Sequence, residues 1–383
     1  MMLTRTIVRR CCCLSVLENV EKAKKGCTCK DHKDTTYCNV ALIGADSRLG
    51  ELTAFLLKQN PLITMLHLQG GAGVVGLRED LAHIDTSCRV VAHSGIDNYR
   101  NAMKTANVIV LLGMGGFSSR TSIGDRVMAE GNRICKLAEK CTKYARKAII
   151  VVCATPVSVM LPLVVDMFRR THWYHPGRIV GFTGPVSVVL NTEIGRYQCF
   201  DPNIVDIPMI GGPDLESIVP VFSQASPCPV DREGSIEVTA RLRGIEPSDF
   251  PKRAQPVNSF VRILYPEAVA LNRLISAIAY GIHGDELAIG YAHVRTNIIQ
   301  DCRFMVCRVR FGSHGVVHNY GIPEVNNFEQ DLLERSLALL YYKEQMAREY
   351  LDYYLSKRRD ILPPFKQREV EAYHEKRKSM MRG

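Results

Sequence analysis

Apolar and polar positions along this chain fall into blocks of two lengths. The short apolar runs are YCNVALIG at 37–44, MLHL at 65–68, the segment from Arg89 to Ala92, Asn107 to Leu112, and KAIIVVC at 147–153. Runs of about four to eight residues closed by glycine or a polar turn read as buried strands. Longer stretches with helical spacing lie between them: LGELTAFLLKQ at 49–59, a segment from Tyr99 to Thr105, and one from about Asp125 to Arg146. Strand and helix taking turns predict an α/β fold, a parallel sheet with helices on both faces.

Beyond about Pro185 the segments become longer and mixed. A helix is predicted near Val188 to Tyr197, strands around Ile204 to Ile210, helices spanning Asn258 to Tyr280, and strands at Arg303 to Phe311. Leu332, Leu333, Leu337, Leu340 and Tyr341 recur at helical spacing and predict a closing helix from Asn327 to about Leu355. Pro363 and Pro364 then break into a polar tail. The expected organisation is a leader at 1–36, an α/β domain at 37–184, a mixed domain at 185–355 and a basic extension at 356–383.

Charge changes this picture only through its location. The chain carries +10 in 383 residues, yet residues 1–38 supply +4 and residues 356–383 supply +5, so the folded middle is close to neutral. A nucleic-acid-binding domain carries its basic patch on its own surface, so no nucleic-acid partner is expected. No apolar run approaches the roughly 18 residues of a membrane span. The first seventeen residues hold Arg5, Arg9 and Arg10 and no acid before Glu18, a pattern that resembles a mitochondrial transit peptide. The mitochondrial matrix is therefore the expected location, with the cytoplasm as the alternative. The basic tail reads either as a docking segment for an acidic protein or anionic surface, or as a solvated extension.

Of the fourteen cysteines, Cys135, Cys153 and Cys307 fall on helix and strand positions and are expected to be buried thiols in a reducing compartment. The group Cys27, Cys29, His32 and Cys38 has a C-x-C-x2-H-x5-C spacing that matches no common zinc knuckle, so no metal is expected.

Five blocks carry a family resemblance: FLLKQNPLITMLHL, DLAHIDT, HPGRIVGFTG, IPMIGGPDLESIVPVFSQ and GIPEVNNFEQDLL. In this order and at these separations they resemble mitochondrial-type malate dehydrogenase, from about Tyr37 to Leu351. The resemblance implies a Rossmann-type doubly wound parallel sheet followed by a mixed α+β catalytic-type domain, and a homodimer.

Position by position, the resemblance also implies losses. Where the family has G-A-x-G-x-I-G, this chain has Gly44-Ala45-Asp46-Ser47-Arg48-Leu49-Gly50, so Gly44 and Gly50 remain as cofactor-binding positions and Ser47 replaces the glycine that lets the backbone approach a pyrophosphate. Asp46 adds negative charge beside that anion site, partly offset by Arg48. Gly70 stands where the family's ribose-binding acid closes the second strand, and Thr155 stands where an asparagine lies near nicotinamide and substrate.

In V-I-G-G-H the family carries its catalytic base, and here that place is Pro213. The block 183–192 ends in the family's Asn-Thr, as Asn191 and Thr192, but has Val186 for the aspartate that orients the base and Val189 for a substrate-clamping arginine. Loss of a positioned base costs about 10²–10⁴ in rate. None of the other histidines stands in a motif with an acid at a telling spacing. The expectation from these positions is an inactive family member with a structural or scaffold role and no cofactor; the alternative is a divergent NAD-dependent malate dehydrogenase or other 2-hydroxy acid oxidoreductase. Arg120 and Arg126 keep the six-residue interval of the family's active-site loop and are candidate substrate-binding residues, although an ungapped match from Asn132 puts Asp125 at the second position.

Overall fold

The runs VALI, VIVL and IIVV are buried at every position, as parallel strands covered by helices on both faces must be. The computed structural model describes residues 38–95, 98–115, 121–243, 264–286, 288–356 and 362–382. Its first part runs β1 (Asn39–Ile43), α1 (Arg48–Gln59), β2 (Met65–Gly70), α2 (Gly73–Ala82), β3 (Arg89–Ser94), α3 (Tyr99–Met103), β4 (Val108–Leu111), α4 (Ile123–Tyr144), β5 (Ile149–Val152), α5 (Val157–Arg169) and β6 (Ile179–Gly181). These strands pair in parallel in the order β3-β2-β1-β4-β5-β6. The connections change direction between β1 and β4, and a crevice opens there at the carboxyl ends of the strands.

The second part comprises α6 (Val186–Gln198), β7 (Met209–Gly211), β8 (Ile218–Pro220), α7 (Arg232–Arg243), α8 (Leu264–Ile282), β9 (Ile289–Ile299), β10 (Cys302–Gly312), β11 (Gly315–Asn319), α9 (Asn327–Ser356) and α10 (Pro364–Arg382). One antiparallel pair, Gly181 with His293, joins β9 to β6, so a single sheet runs through both parts. The architecture is thus a Rossmann-type parallel sheet with a mixed α+β part after it, as expected. Cys135, Cys153 and Cys307 are buried free thiols. Burial pushes Cys135 up to about 12 and Cys307 up to about 11. Cys38 is fully buried at the start of β1, while Cys27, Cys29 and His32 lie outside the described residues, as does the expected leader.

Several elements differ from the sequence expectation. Residues 204–208 do not form a strand. Pro208 has no N–H to give, and the segment makes only an isolated bridge between Asp206 and Ser226 before β7 begins. Helix α5 was hidden by Pro162 within it; buried at most positions around its circumference, it lacks the polar face that marks a surface helix. Pro363 and Pro364 do not end the ordered chain either, because Pro364 opens α10 at a position where a missing N–H costs nothing.

Helix α10 folds back on the body. Phe365 is fully buried in the core shared by α4, α5 and α9. Glu369 accepts the Gly124 N–H at 2.9 Å and the Ser122 hydroxyl at 3.0 Å, and Lys366 pairs with Asp125 at 2.7 Å. The root of the basic extension is therefore seated on the first turn of α4.

Candidate active site

The first cleft forms where β1 turns into α1. Gly44 has φ +88°, a left-handed conformation that glycine takes without strain. Ser47 follows as the N-cap of α1: its hydroxyl accepts the Gly50 N–H at 3.1 Å and donates to the Gly44 carbonyl at 2.9 Å. Its side chain is thus turned back onto the backbone. Gly50 does not line the cleft. A Cβ there would lie 2.6–2.8 Å from the backbone of Ala45, so this glycine serves the close packing of α1 on the turn.

The cleft holds about 400 Å³ and is walled by the ends of four strands: Gly44 and Ser47 after β1, Gly70 and Gly71 at β2, Gly95 after β3, and Gly113 with Met114 after β4. Two charged side chains line it, Asp46 and Arg133. Arg133, on α4, donates to the Leu112 carbonyl at 2.7 Å and pairs with buried Glu130 at 3.3 Å, which fixes a cation beside Gly44. Nothing in the sequence marks this residue, because only the packing of α4 across β4 brings it to the turn. Asp46 reaches the other way and accepts the Gly71 N–H at 2.8 Å. Glycine backbone, a helix N-terminus and a fixed guanidinium are what a pyrophosphate requires, and the residues present suit a dinucleotide.

A second cleft of about 610 Å³ lies beside β5 and β6. The two meet at Gly113, where a Cβ would touch Thr155 N at 3.6 Å, since Gly113 lines the first and Thr155 the second. Thr155 and Pro156 are joined by a cis peptide bond. Arg126 lines this cleft, while neighbouring Asp125 is turned out to Lys366. Arg120 lies outside the described residues. Pro213 and Val186 are buried in the wall; Val186 packs in an apolar cluster with Leu190, Ile194 and Val306, and Val189 rests against it.

Polar groups the sequence did not single out fill the wall next to Pro213. Asp214 accepts from Lys343 Nζ at 2.9 Å and from the Ser158 hydroxyl, and Lys343 also pairs with Glu216. Lys343 is only 1% exposed. Burial pushes the Asp214 carboxyl up, but the charge and hydrogen bond of Lys343 with the Ser158 hydroxyl outweigh it and hold Asp214 below its ordinary value. Burial likewise depresses Lys343, and the two carboxylates more than restore it, so its ammonium titrates above the usual lysine range. Both groups are charged at neutral pH. None of the described histidines lines the cleft.

The strand order and the crevice at its switch point are those of a Rossmann-type dinucleotide-binding fold. Residues 38–181 match the family model described as the lactate/malate dehydrogenase NAD binding domain. Mitochondrial malate dehydrogenase of Felis catus is 25% identical over 313 residues, spanning 82% of this chain and 91% of that protein. The Homo sapiens mitochondrial enzyme is 25% identical over 303 residues, spanning 79% and 88%. Among solved structures, the apo malate dehydrogenase of Picrophilus torridus is similar with a TM-score of 0.68 at 18% identity, covering 84% of this chain and 99% of that one. The lactate dehydrogenase of Cryptosporidium parvum, complexed with lactic acid and nicotinamide adenine dinucleotide, gives 0.66 at 17% identity, covering 82% and 98%. Residues 38–181 are thus similar to the NAD binding domain of lactate/malate dehydrogenases, and about four fifths of the chain is similar to malate dehydrogenases at 25% identity.

Two expectations are corrected by these findings. That no cofactor binds is overturned by the match of residues 38–181 to an NAD-binding domain; the physical reason is that Ser47 spends its side chain on capping α1, and the cleft stays open in front of it. That the chain is not an enzyme is overturned by similarity to malate dehydrogenases across about four fifths of its length. Substitution at Pro213 and Val186 left a cleft lined by other ionisable groups. Among the described residues no helix is long and apolar enough to cross a membrane, and no cluster of His, Cys, Asp or Glu could hold a metal ion.

Proposed function

We propose that this chain is an NAD-dependent oxidoreductase that interconverts a small 2-hydroxy acid and its 2-oxo partner, of the malate dehydrogenase type, working as a homodimer in the mitochondrial matrix. Residues 37–184 hold the dinucleotide and residues 185–355 complete the substrate side. The observation that carries this reading is the junction of the two clefts at Gly113 and Thr155, which lets a group bound in the first face a group bound in the second. Nicotinamide, when bound, supplies the hydride acceptor or donor.

The chain's own residues supply the rest. Arg126 on the wall of the second cleft is suited to a substrate carboxylate, which pairs with guanidinium in a bidentate manner. With proline at 213, the hydroxyl proton has to pass to another group. Asp214 is the next residue along, held on the cleft wall by Ser158 and Lys343, and is the carboxylate positioned to accept that proton.

The test is a calorimetric titration with NADH, with oxaloacetate and other 2-oxo acids then offered to the same sample while NADH absorbance is followed. Micromolar NADH binding with 2-oxo-acid-dependent oxidation supports the reading. Absence of both sinks it.

A further inference from the structure

We infer that Asp46 is the residue that grips the adenosine ribose and selects the cofactor without a 2′-phosphate, a role moved from the end of β2 to the turn after β1. The inference rests on the dinucleotide reading above. In this fold the ribose hydroxyls are met by an acid closing the second strand, about twenty residues after the glycine turn. Gly70 stands at that place and has no side chain.

The space is nonetheless filled by a carboxylate. Asp46 leans from its turn across the end of β2, and Oδ2 accepts the Gly71 N–H at 2.8 Å. A Cβ built on Gly70 would overlap this carboxylate, with Asp46 Cγ and Val74 Cγ1 each 2.8 Å away, and one on Gly71 would lie 3.0 Å from Oδ2. The two glycines are therefore the condition for Asp46 to occupy this position. The missing side chain and the added one are a single exchange.

Among the described residues that line this cleft, no other side chain carries a carboxylate. Gln69 also lines the cleft, but it is buried and its amide is engaged in donating to the Gly95 carbonyl at 3.1 Å. Asp46 is the one acid lining the cleft among the described residues, and it uses Oδ2 to accept the Gly71 N–H. A carboxylate oxygen accepts more than one hydrogen bond, so both oxygens remain available to ribose hydroxyls. The cation of the cleft, Arg133, sits beside Gly44 and not beside Gly70. A phosphate on the ribose would meet the negative charge of Asp46.

The experiment is titration of NADH and NADPH into the full chain and into three variants: Asp46→Asn, Gly70→Asp, and the double exchange Asp46→Gly with Gly70→Asp. The unaltered chain is expected to prefer NADH by at least about tenfold, and Asp46→Asn to lose about tenfold or more of NADH affinity while narrowing that preference. Gly70→Asp alone is expected to bind worse than the unaltered chain, since two carboxylates would compete for one place, and the double exchange to recover affinity. Thermal unfolding of each variant reports folding, and exposed Asp46 makes Asp46→Asn a substitution the fold tolerates. Unchanged NADH affinity and selectivity in Asp46→Asn, or tighter binding of NADPH by the unaltered chain, overturns the assignment alone. Failure of the unaltered chain to bind either dinucleotide overturns the functional reading and this inference together.

Discussion

At the residue scale, the glycine turn shows how one motif distributes its duties. Gly44 supplies a backbone angle, Ser47 a cap, Asp46 a carboxylate and Gly50 an absence of volume. Gly50→Ala should therefore cost about 1–3 kcal/mol, because the backbone of Ala45 cannot yield as a flexible side chain would; urea denaturation of the variant measures it. Lys343→Met should abolish turnover while sparing NADH titration, since Lys343 holds Asp214 and Glu216 on the substrate side. Leaving two carboxylates without their cation should also cost about 3 kcal/mol, the lower end for a broken buried pair because both acids are partly exposed. Retained NADH affinity with lost turnover is the outcome that separates the two effects. The sequence read Pro213 and Val186 as losses, and could not show Lys343 beside Asp214, because 129 residues separate them and only the packing of α9 brings them together.

At the element scale, legibility followed the periodicity. β1, α1, β4, β5 and α9 were plain from apolar runs and helical spacing, because each has a uniform surround: two covered faces or one. α5 was not, since a helix buried almost all round has no contrast between faces and Pro162 argues against it. β9 escaped for a related reason: it mixes buried and half-buried positions without alternation as it crosses from one part of the sheet to the other. A cap can be readable where a strand is not. Asn326 and Glu329 form a reciprocal box at the start of α9, each side chain taking the other's N–H at 2.9 Å. Asn326→Ala should lower stability by about 1 kcal/mol, and Glu329→Ala by about 3 kcal/mol because it also strands the Ser223 N–H and hydroxyl. Equal midpoints for the two variants in a denaturant titration would contradict this ordering.

At the scale of the whole molecule, the buried histidines set an acid limit. Burial, followed by the neighbouring His93, pushes His67 down to about 4, and burial pushes His293 down to about 3; burial lowers His93 as well. Each is held neutral in the folded protein, whereas the unfolded chain takes up a proton near 6.5. The unfolded state therefore binds more protons as pH falls, and stability present above about pH 6.5 is lost progressively towards pH 4 and below. For His67 the loss is on the order of 3 kcal/mol. Denaturation midpoints measured from pH 7 to pH 4 should show this slope, and His67→Asn should flatten it. A midpoint indifferent to pH across this range would refute the account.

The seat of α10 has a temporal side. The carboxylate that finishes the first turn of α4 comes from Glu369, near the end of the chain, while Arg126 sits in that same turn. A growing polypeptide has every residue that lines the first cleft long before it has Glu369, which braces the turn carrying Arg126. On the proposed function, the first cleft is complete before the helix that braces the second, and a chain stopped at Ser356 should reproduce that earlier stage: NADH affinity as in the full chain, with a KM for the 2-oxo acid raised several-fold. Steady-state kinetics beside calorimetry on the shortened chain would show whether the last helix is an appendage or the final step of assembly.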